Sequence, residues 1–255
     1  FVCSVVAVYI HDQLSVPVSK DSVFTIEPGS NLSAITKRLT RDDLLPVNNI
    51  AFKAFALLTR DAGSIQAGQY QLKAGMPSQD VLALFRSGKV IQYRITFPEG
   101  LRVKEWLARL QEAPYLDAKT TGMTREDLGQ SLGLTAELEG SLFPDTYQYI
   151  MGDSDLDILK LAVRKMKEVL SDEWSGRAMT AVSTPFDALI LASMIEKETG
   201  YGPDREKIAA VFHNRLDTGM KLQSDPTVIF GLGAGFDGDL KRSHLKSDTP
   251  YNTYT

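Results

Sequence analysis

Three segments of the chain share one glycine-anchored spacing. Phe24-Thr25-Ile26 precedes Gly29, Tyr70-Gln71-Leu72 precedes Gly75, and Ile95-Thr96-Phe97 precedes Gly100, each with apolar residues five and three positions ahead of the glycine. Apolar residues at a spacing of two mark a half-buried strand, and the glycine beyond supplies a tight turn. Downstream, Ile35 and Leu39, Val81 and Phe85, and Trp106 and Leu110 fall six and ten positions after the respective glycines. A separation of four puts both on one helix face. The recurrence predicts strand, turn, helix three times over. The glycines are unevenly spaced along the chain, which argues against a solenoid and for reuse of one unit in a compact α+β fold.

A second feature lies in Leu191-Ala192-Ser193-Met194-Ile195-Glu196-Lys197-Glu198-Thr199. Thr184 suits an N-cap, Pro185 the first helical position and Asp187 an acidic first turn, so a helix is expected from about Pro185 to Thr199. Ala188, Leu191, Ala192 and Ile195 recur at helical spacing and form its expected buried stripe, and Gly200, Gly202 and Pro203 stop it. This helix ends in two carboxylates where its negative end prefers cations. Such a broken local rule marks a candidate functional site. Glu196 lies one turn after Ala192, beside the apolar stripe, whereas Glu198 points roughly 200° further round. A carboxyl among aliphatic neighbours at a helix C-terminus favours its protonated form, which a general acid needs.

A second helix is expected from roughly Asp204 to Leu216, leading through Gly219 into Lys221-Leu222-Gln223-Ser224-Asp225-Pro226-Thr227. Gln223, Ser224, Asp225 and Thr227 form a short polar cluster between Leu222 and the apolar Val228, Ile229 and Phe230. Amides and carboxylates over apolar flooring suit a sugar. Asp225 reads equally as the N-cap of a further helix, since Pro226 and Thr227 follow it. Glu139 and Asp145 flank an aromatic loop with Phe143, Tyr147 and Tyr149 that fits either sugar stacking or a core edge. Tyr251 and Tyr254 alternate around Asn252 and suggest a strand edge.

These blocks carry a resemblance. Leu191 to Thr199, Val211-Phe212-His213-Asn214-Arg215-Leu216, Leu222 to Ile229, Tyr251-Asn252-Thr253-Tyr254-Thr255 and Glu139-Gly140-Ser141-Leu142-Phe143-Pro144-Asp145-Thr146-Tyr147 together resemble the endolytic murein transglycosylase (YceG-like) family, from about Phe24 onward. The resemblance implies that Glu196 is the catalytic acid and base. It implies cleavage of the β-1,4 bond between N-acetylmuramic acid and N-acetylglucosamine within a peptidoglycan strand, leaving a 1,6-anhydro-muramyl end. Ordinary glycosidases use two carboxylates because an outside nucleophile must be handled. Here the muramyl C6 hydroxyl attacks its own C1, so one carboxyl can donate and then accept the proton. Gln223, Asp225, Asn214, Tyr251 and Asn252 are the expected stabilising and binding residues, joined by Thr227, Tyr254 and Glu198.

The first two glycine-anchored units also resemble a LysM module, a small βααβ fold that binds N-acetylglucosamine-containing glycans, with Glu27-Pro28-Gly29-Ser30-Asn31-Leu32 close to its opening signature. The expected organisation is thus α+β: the end of a membrane anchor and a linker over residues 1–20, a LysM-like domain over 24–91 and a larger α+β catalytic domain over 92–255. Thr120 to Thr135 is expected as an excursion within the latter.

Composition narrows the alternatives. The 255 residues carry a net charge of −4 with no basic cluster interleaved with aromatics, which disfavours nucleic acid. One cysteine forms no internal disulfide, and His11, His213 and His244 have no paired spacing, so neither a metal nor a cofactor is expected. Phe1 to Ile10 are apolar and uncharged and suit the outer end of a transmembrane helix, whose full span takes ~20 residues. The resemblance adds an inner-membrane location with the catalytic part outside the cytoplasm, peptidoglycan strands as substrate, and peptidoglycan synthases as partners. The competing readings are a non-catalytic peptidoglycan-binding scaffold and a plain hydrolase that uses Asp225 or Glu198 as its second carboxylate.

Overall fold

All three glycine-anchored units form. In the computed structural model, which describes residues 12, 14–46, 48–58, 65–135, 137–178 and 181–255, strand β1 (Ser22–Ile26) leads through Gly29 into helix α1 (Leu32–Arg41). Helix α2 (Asn49–Leu58) follows. Strand β2 (Gly68–Leu72) leads through Gly75 into α3 (Ser78–Ser87), and β3 (Tyr93–Thr96) through Gly100 into α4 (Val103–Glu112). The three glycines have φ of 77°, 83° and 74°, the left-handed region that any side chain would strain. Every apolar position that defined the repeat is buried.

The chain divides into two units. The first holds the described residues up to Ile95 together with Ala113–Asp117 and Gln148–Ser154. Its element order is β1, α1, α2, β2, α3, with β1 and β2 antiparallel and Phe24 opposite Tyr70. Phe24, Ile26, Leu39, Phe52, Tyr70 and Phe85 make its core. Asn31 caps α1 by accepting from the Ala34 N–H at 2.9 Å.

The second unit holds Thr96–Glu112, Ala118–Tyr147 and Asp155–Thr255. The third repeat's glycine and helix therefore belong here. Trp106 of α4 stacks on Phe97 with ring centroids 3.7 Å apart, and Tyr147 packs against both. On strand β4 (Thr146–Tyr149), which pairs with β3, Tyr147 is buried in this unit and Tyr149, which falls in the first unit, is buried too, so these aromatics fill core. Within 120–135 the chain forms α5 (Arg125–Ser131), opened by a capping box between Thr124 and Asp127. Helices α6 (Asp155–Gly176), α7 (Pro185–Glu198), α8 (Gly202–Asp217) and α9 (Asp225–Leu232) complete the unit.

Asp155 opens α6 as a buried carboxylate. It accepts from the Lys119 and Leu156 N–H groups at 2.9 and 2.7 Å, and from both the N–H and the hydroxyl of Thr120, the latter at 2.6 Å. Four donors offset its desolvation.

Two expectations need correction or placement. Tyr251 to Thr255 forms turns instead of a strand edge, because the segment's hydrogen bonds go to the α9 N-terminus and to its own loop. The expected anchor, Phe1–Ile10, lies outside the described residues; among the described residues no helix is long and apolar enough to cross a membrane.

Candidate active site

Helix α7 begins as its sequence dictates. The Asp187 N–H donates to the Thr184 hydroxyl at 3.1 Å and the Thr184 N–H to the Asp187 carboxylate at 3.0 Å, with Pro185 in the first turn. Its buried face differs from expectation. Leu191 and Met194 are buried against Phe212 of α8, with Ile195, Ile208 and Leu216 packed around them, while Ala192 is exposed. Burial centres on the larger side chains because α8 lies over that face.

Glu196 is half-buried, with 27% of its side chain exposed, and its Oε2 lies 2.8 Å from Nη2 of Arg205. The expected setting, a carboxyl among aliphatic groups alone, is corrected: a guanidinium faces it. The break at Gly200 turns the chain into α8, whose first turn carries Arg205 back to the end of α7. The Gly100 turn lies nearby. A Cβ built on Gly100 would stand 3.8 Å from Cγ of Glu196 and 3.2 Å from Nζ of Lys197.

Glu198 belongs to a different set of contacts. Its carboxylate accepts from the Ser224 hydroxyl at 3.1 Å. Ser224, buried, is the N-cap residue of α9, and Asp225 occupies the helix's first position, so the N-cap reading of Asp225 is corrected. One residue into the helix, the Asp225 carboxylate is free to accept from the Tyr254 hydroxyl at 2.6 Å. That hydrogen bond first, then burial and the charges of Asp225 and Glu198, push the Tyr254 phenol up to about 12, against an opposing effect of Arg215.

Thr253 ties the same region together. Its hydroxyl accepts from the Ser224 N–H at 2.9 Å and lies 2.9 Å from the Thr227 hydroxyl, and its carbonyl accepts from the Gln223 N–H at 3.1 Å. Gln223 sits at φ 51° with an exposed side chain, and Arg215 donates to the Leu222 carbonyl beneath it. Glu198 and Thr227 are thus joined with Ser224 and Thr253 in one network, and the adjacent Asp225 and Tyr254 pair with each other.

The remaining expected residues stand around it. Asn252 donates to the carbonyls of Leu245 and Ser247 at 3.2 and 2.6 Å and accepts from the Tyr254 N–H at 2.8 Å, so its amide shapes the loop that presents Tyr254. Tyr251 is 48% exposed and meets Phe230 edge-on at 4.8 Å, and the Arg102 guanidinium lies 5.1 Å from the same Phe230 ring. Asn214 is exposed near the end of α8, where its carbonyl accepts from Thr218. A groove of about 660 Å³ lies along α7 on another side, lined by Trp174, Val182, Leu191, Ala192, Ile195 and His213 among others, and does not include Glu196. Among the described residues no group of three or more His, Cys, Asp or Glu is placed to hold a metal ion.

Sequence reasoning missed Arg205, Arg215 and the Gly100 turn as parts of this region. Arg205 had one signal, its place in the first turn after the Gly200 to Pro203 break, where a tight corner returns the chain to the helix it has just left.

The sequence profile of the YceG-like family matches residues 24–255. A Bacillus subtilis protein named endolytic murein transglycosylase is 32% identical over 261 aligned residues, covering 93% of this chain and 71% of the relative. A protein of the same name from Streptococcus pneumoniae D39 is 26% identical over 283 residues, covering 96% of this chain. The chain spans about half, 51%, of that pneumococcal relative. Among solved structures, a YceG-like protein of Listeria monocytogenes, known at 2.6 Å, matches with a TM-score of 0.50 at 26% identity over 92% of this chain and 83% of the other.

Proposed function

The chain belongs to the YceG-like family, and from that membership we propose that it is an endolytic lytic transglycosylase of murein with Glu196 as its acid and base. The contrast between the two carboxylates at the end of α7 supports the choice. Glu198 is bound into the network that builds the start of α9 through Ser224, whereas Glu196 is held by an ion pair with the half-exposed Arg205, a contact that a substrate can displace.

In the proposed reaction Glu196, protonated, gives its hydrogen to the glycosidic oxygen leaving C1 of a muramyl residue. The muramyl C6 hydroxyl then closes on C1, and Glu196, now a carboxylate, takes the hydroxyl proton. Proton and bond inventory balance without water, and the product strand ends in 1,6-anhydro-N-acetylmuramic acid. Positive charge developing on the sugar ring is met by the substrate's N-acetyl group and by polar residues for which Asp225 is the proposed carboxylate. Tyr251, edge-on to Phe230 and half-exposed, offers an aromatic surface to a sugar ring. Gln223, exposed on its left-handed turn, and Asn214 are proposed as further sugar contacts.

The βααβ order of the first unit supports its reading as a LysM-like module that contacts N-acetylglucosamine units. Murein lies outside the cytoplasm, so the catalytic unit acts there; the residue 1–10 segment is proposed as part of a membrane anchor, and peptidoglycan synthases as partners. Mass spectrometry of products tests the reaction. Anhydro ends are lighter than hydrolysed reducing ends by one water, and a plain hydrolase gives only the heavier set.

A further inference from the structure

We propose that Arg205 is a substrate-carboxylate receptor whose resting partner is Glu196, so that an anionic group of murein takes over the guanidinium and releases Glu196 for catalysis. The inference deepens the proposed function and rests on it for the identity of the substrate.

The geometry carries it in three steps. Oε2 of Glu196 is occupied by Nη2 of Arg205 at 2.8 Å. That oxygen meets a glycosidic oxygen only once the guanidinium is engaged elsewhere. Second, the pair can exchange: Arg205 is 46% exposed, and ion pairs reached by solvent are weak. Of the two carboxylates that flank Arg205 on α8, Asp204 is paired with Lys207 at 3.2 Å, and the end of Lys197 lies near the Gly100 turn. Third, murein supplies the competitor. Each muramyl ring carries a lactyl ether whose carboxyl is either free or linked to a stem peptide with carboxylates of its own, and a planar guanidinium receives a carboxylate through two parallel N–H donors. Arg205 is thus a positioning residue: it reads the anion beside the scissile bond and couples its arrival to the freeing of Glu196.

The coupling makes a binding prediction that runs against intuition. Glu196→Gln removes the internal partner of Arg205, so this variant binds strands with free lactyl carboxylates about tenfold more tightly than the unaltered protein. Arg205→Gln loses the advantage of those strands over the same strands with the carboxyls converted to amides, and Arg205→Lys keeps part of it. Strands that retain stem peptides identify the source of the anion: preference for them over stripped strands assigns the captured carboxylate to the peptide, and the reverse assigns it to the lactyl group. Each affinity is measured by calorimetry, with thermal melting of every variant as the check on folding. The proposal is overturned if Glu196→Gln binds free-carboxylate strands no more tightly, or if Arg205→Gln weakens amidated strands as much as charged ones. Failure of the proposed reaction reads out separately, as the absence of anhydro ends from the unaltered protein, and leaves the binding comparison intact.

Discussion

Gly100 lies beside the end of α7: a Cβ placed on it would stand 3.8 Å from Cγ of Glu196, an ordinary contact, and 3.2 Å from Nζ of Lys197. The same glycine makes the turn of the third repeat, at φ 74°. One residue therefore makes the strand-to-helix turn that leads from Phe97 to Trp106 and lies beside the candidate acid.

Gly100→Ala tests this link. The positive φ costs about 1 kcal/mol of stability, and the new methyl asks the flexible end of Lys197 to shift slightly while meeting Glu196 at ordinary contact distance. Activity on glycan strands is expected to fall by no more than about tenfold, since Glu196 itself keeps its place and only the strained turn and Lys197 adjust, while the melting temperature drops by a few degrees. Steady-state kinetics beside thermal melting separates the two effects.

Tyr254 predicts an alkaline dependence. Its hydrogen bond to Asp225, followed by burial, raises the phenol to about 12 in the folded protein, above the ordinary value of 10.0. A raised value means that the folded state holds the proton longer than the unfolded chain does. The stabilising contribution is whole below pH 10 and is lost as pH climbs through about 12. Carbon-13 NMR of labelled tyrosine should show one ring titrating near the top of that window, and Asp225→Asn should move it down. A Tyr254 signal titrating with the exposed tyrosines contradicts the contact.

Asp155→Ala should destabilise the second unit by about 3 kcal/mol, because the buried Thr120 N–H and hydroxyl lose their acceptor together. Asp155→Asn should recover only part, since an amide brings N–H groups to a site already filled by donors. Urea denaturation reads both.

The repeat was legible because its information is local: residues five and three before each glycine and six and ten after it are set by strand and helix periods alone, and all are buried as those periods require. The Thr184 cap, with its acidic first turn, and the end of α7 were legible for the same reason. What failed depended on which element lies across. Ala192 faces solvent because α8 covers Leu191 and Met194 instead. Asp225 looked like a cap, but the buried Ser224 takes that position while Tyr254, 29 residues away, claims the carboxylate. Arg205 reached Glu196 through a corner whose angle no periodicity encodes. Asp155 gave no signal at all, since its four donors come mostly from a segment 35 residues earlier.

The central claim, that Glu196 alone handles the proton, is tested most directly by mass spectrometry of the ends released from purified glycan strands by the unaltered protein, Glu196→Gln and Glu198→Gln. Anhydro-muramyl ends should come from the unaltered protein, fall by about a thousandfold in Glu196→Gln, and persist within about tenfold in Glu198→Gln. Undiminished anhydro ends from Glu196→Gln, or their loss only in Glu198→Gln, would contradict it.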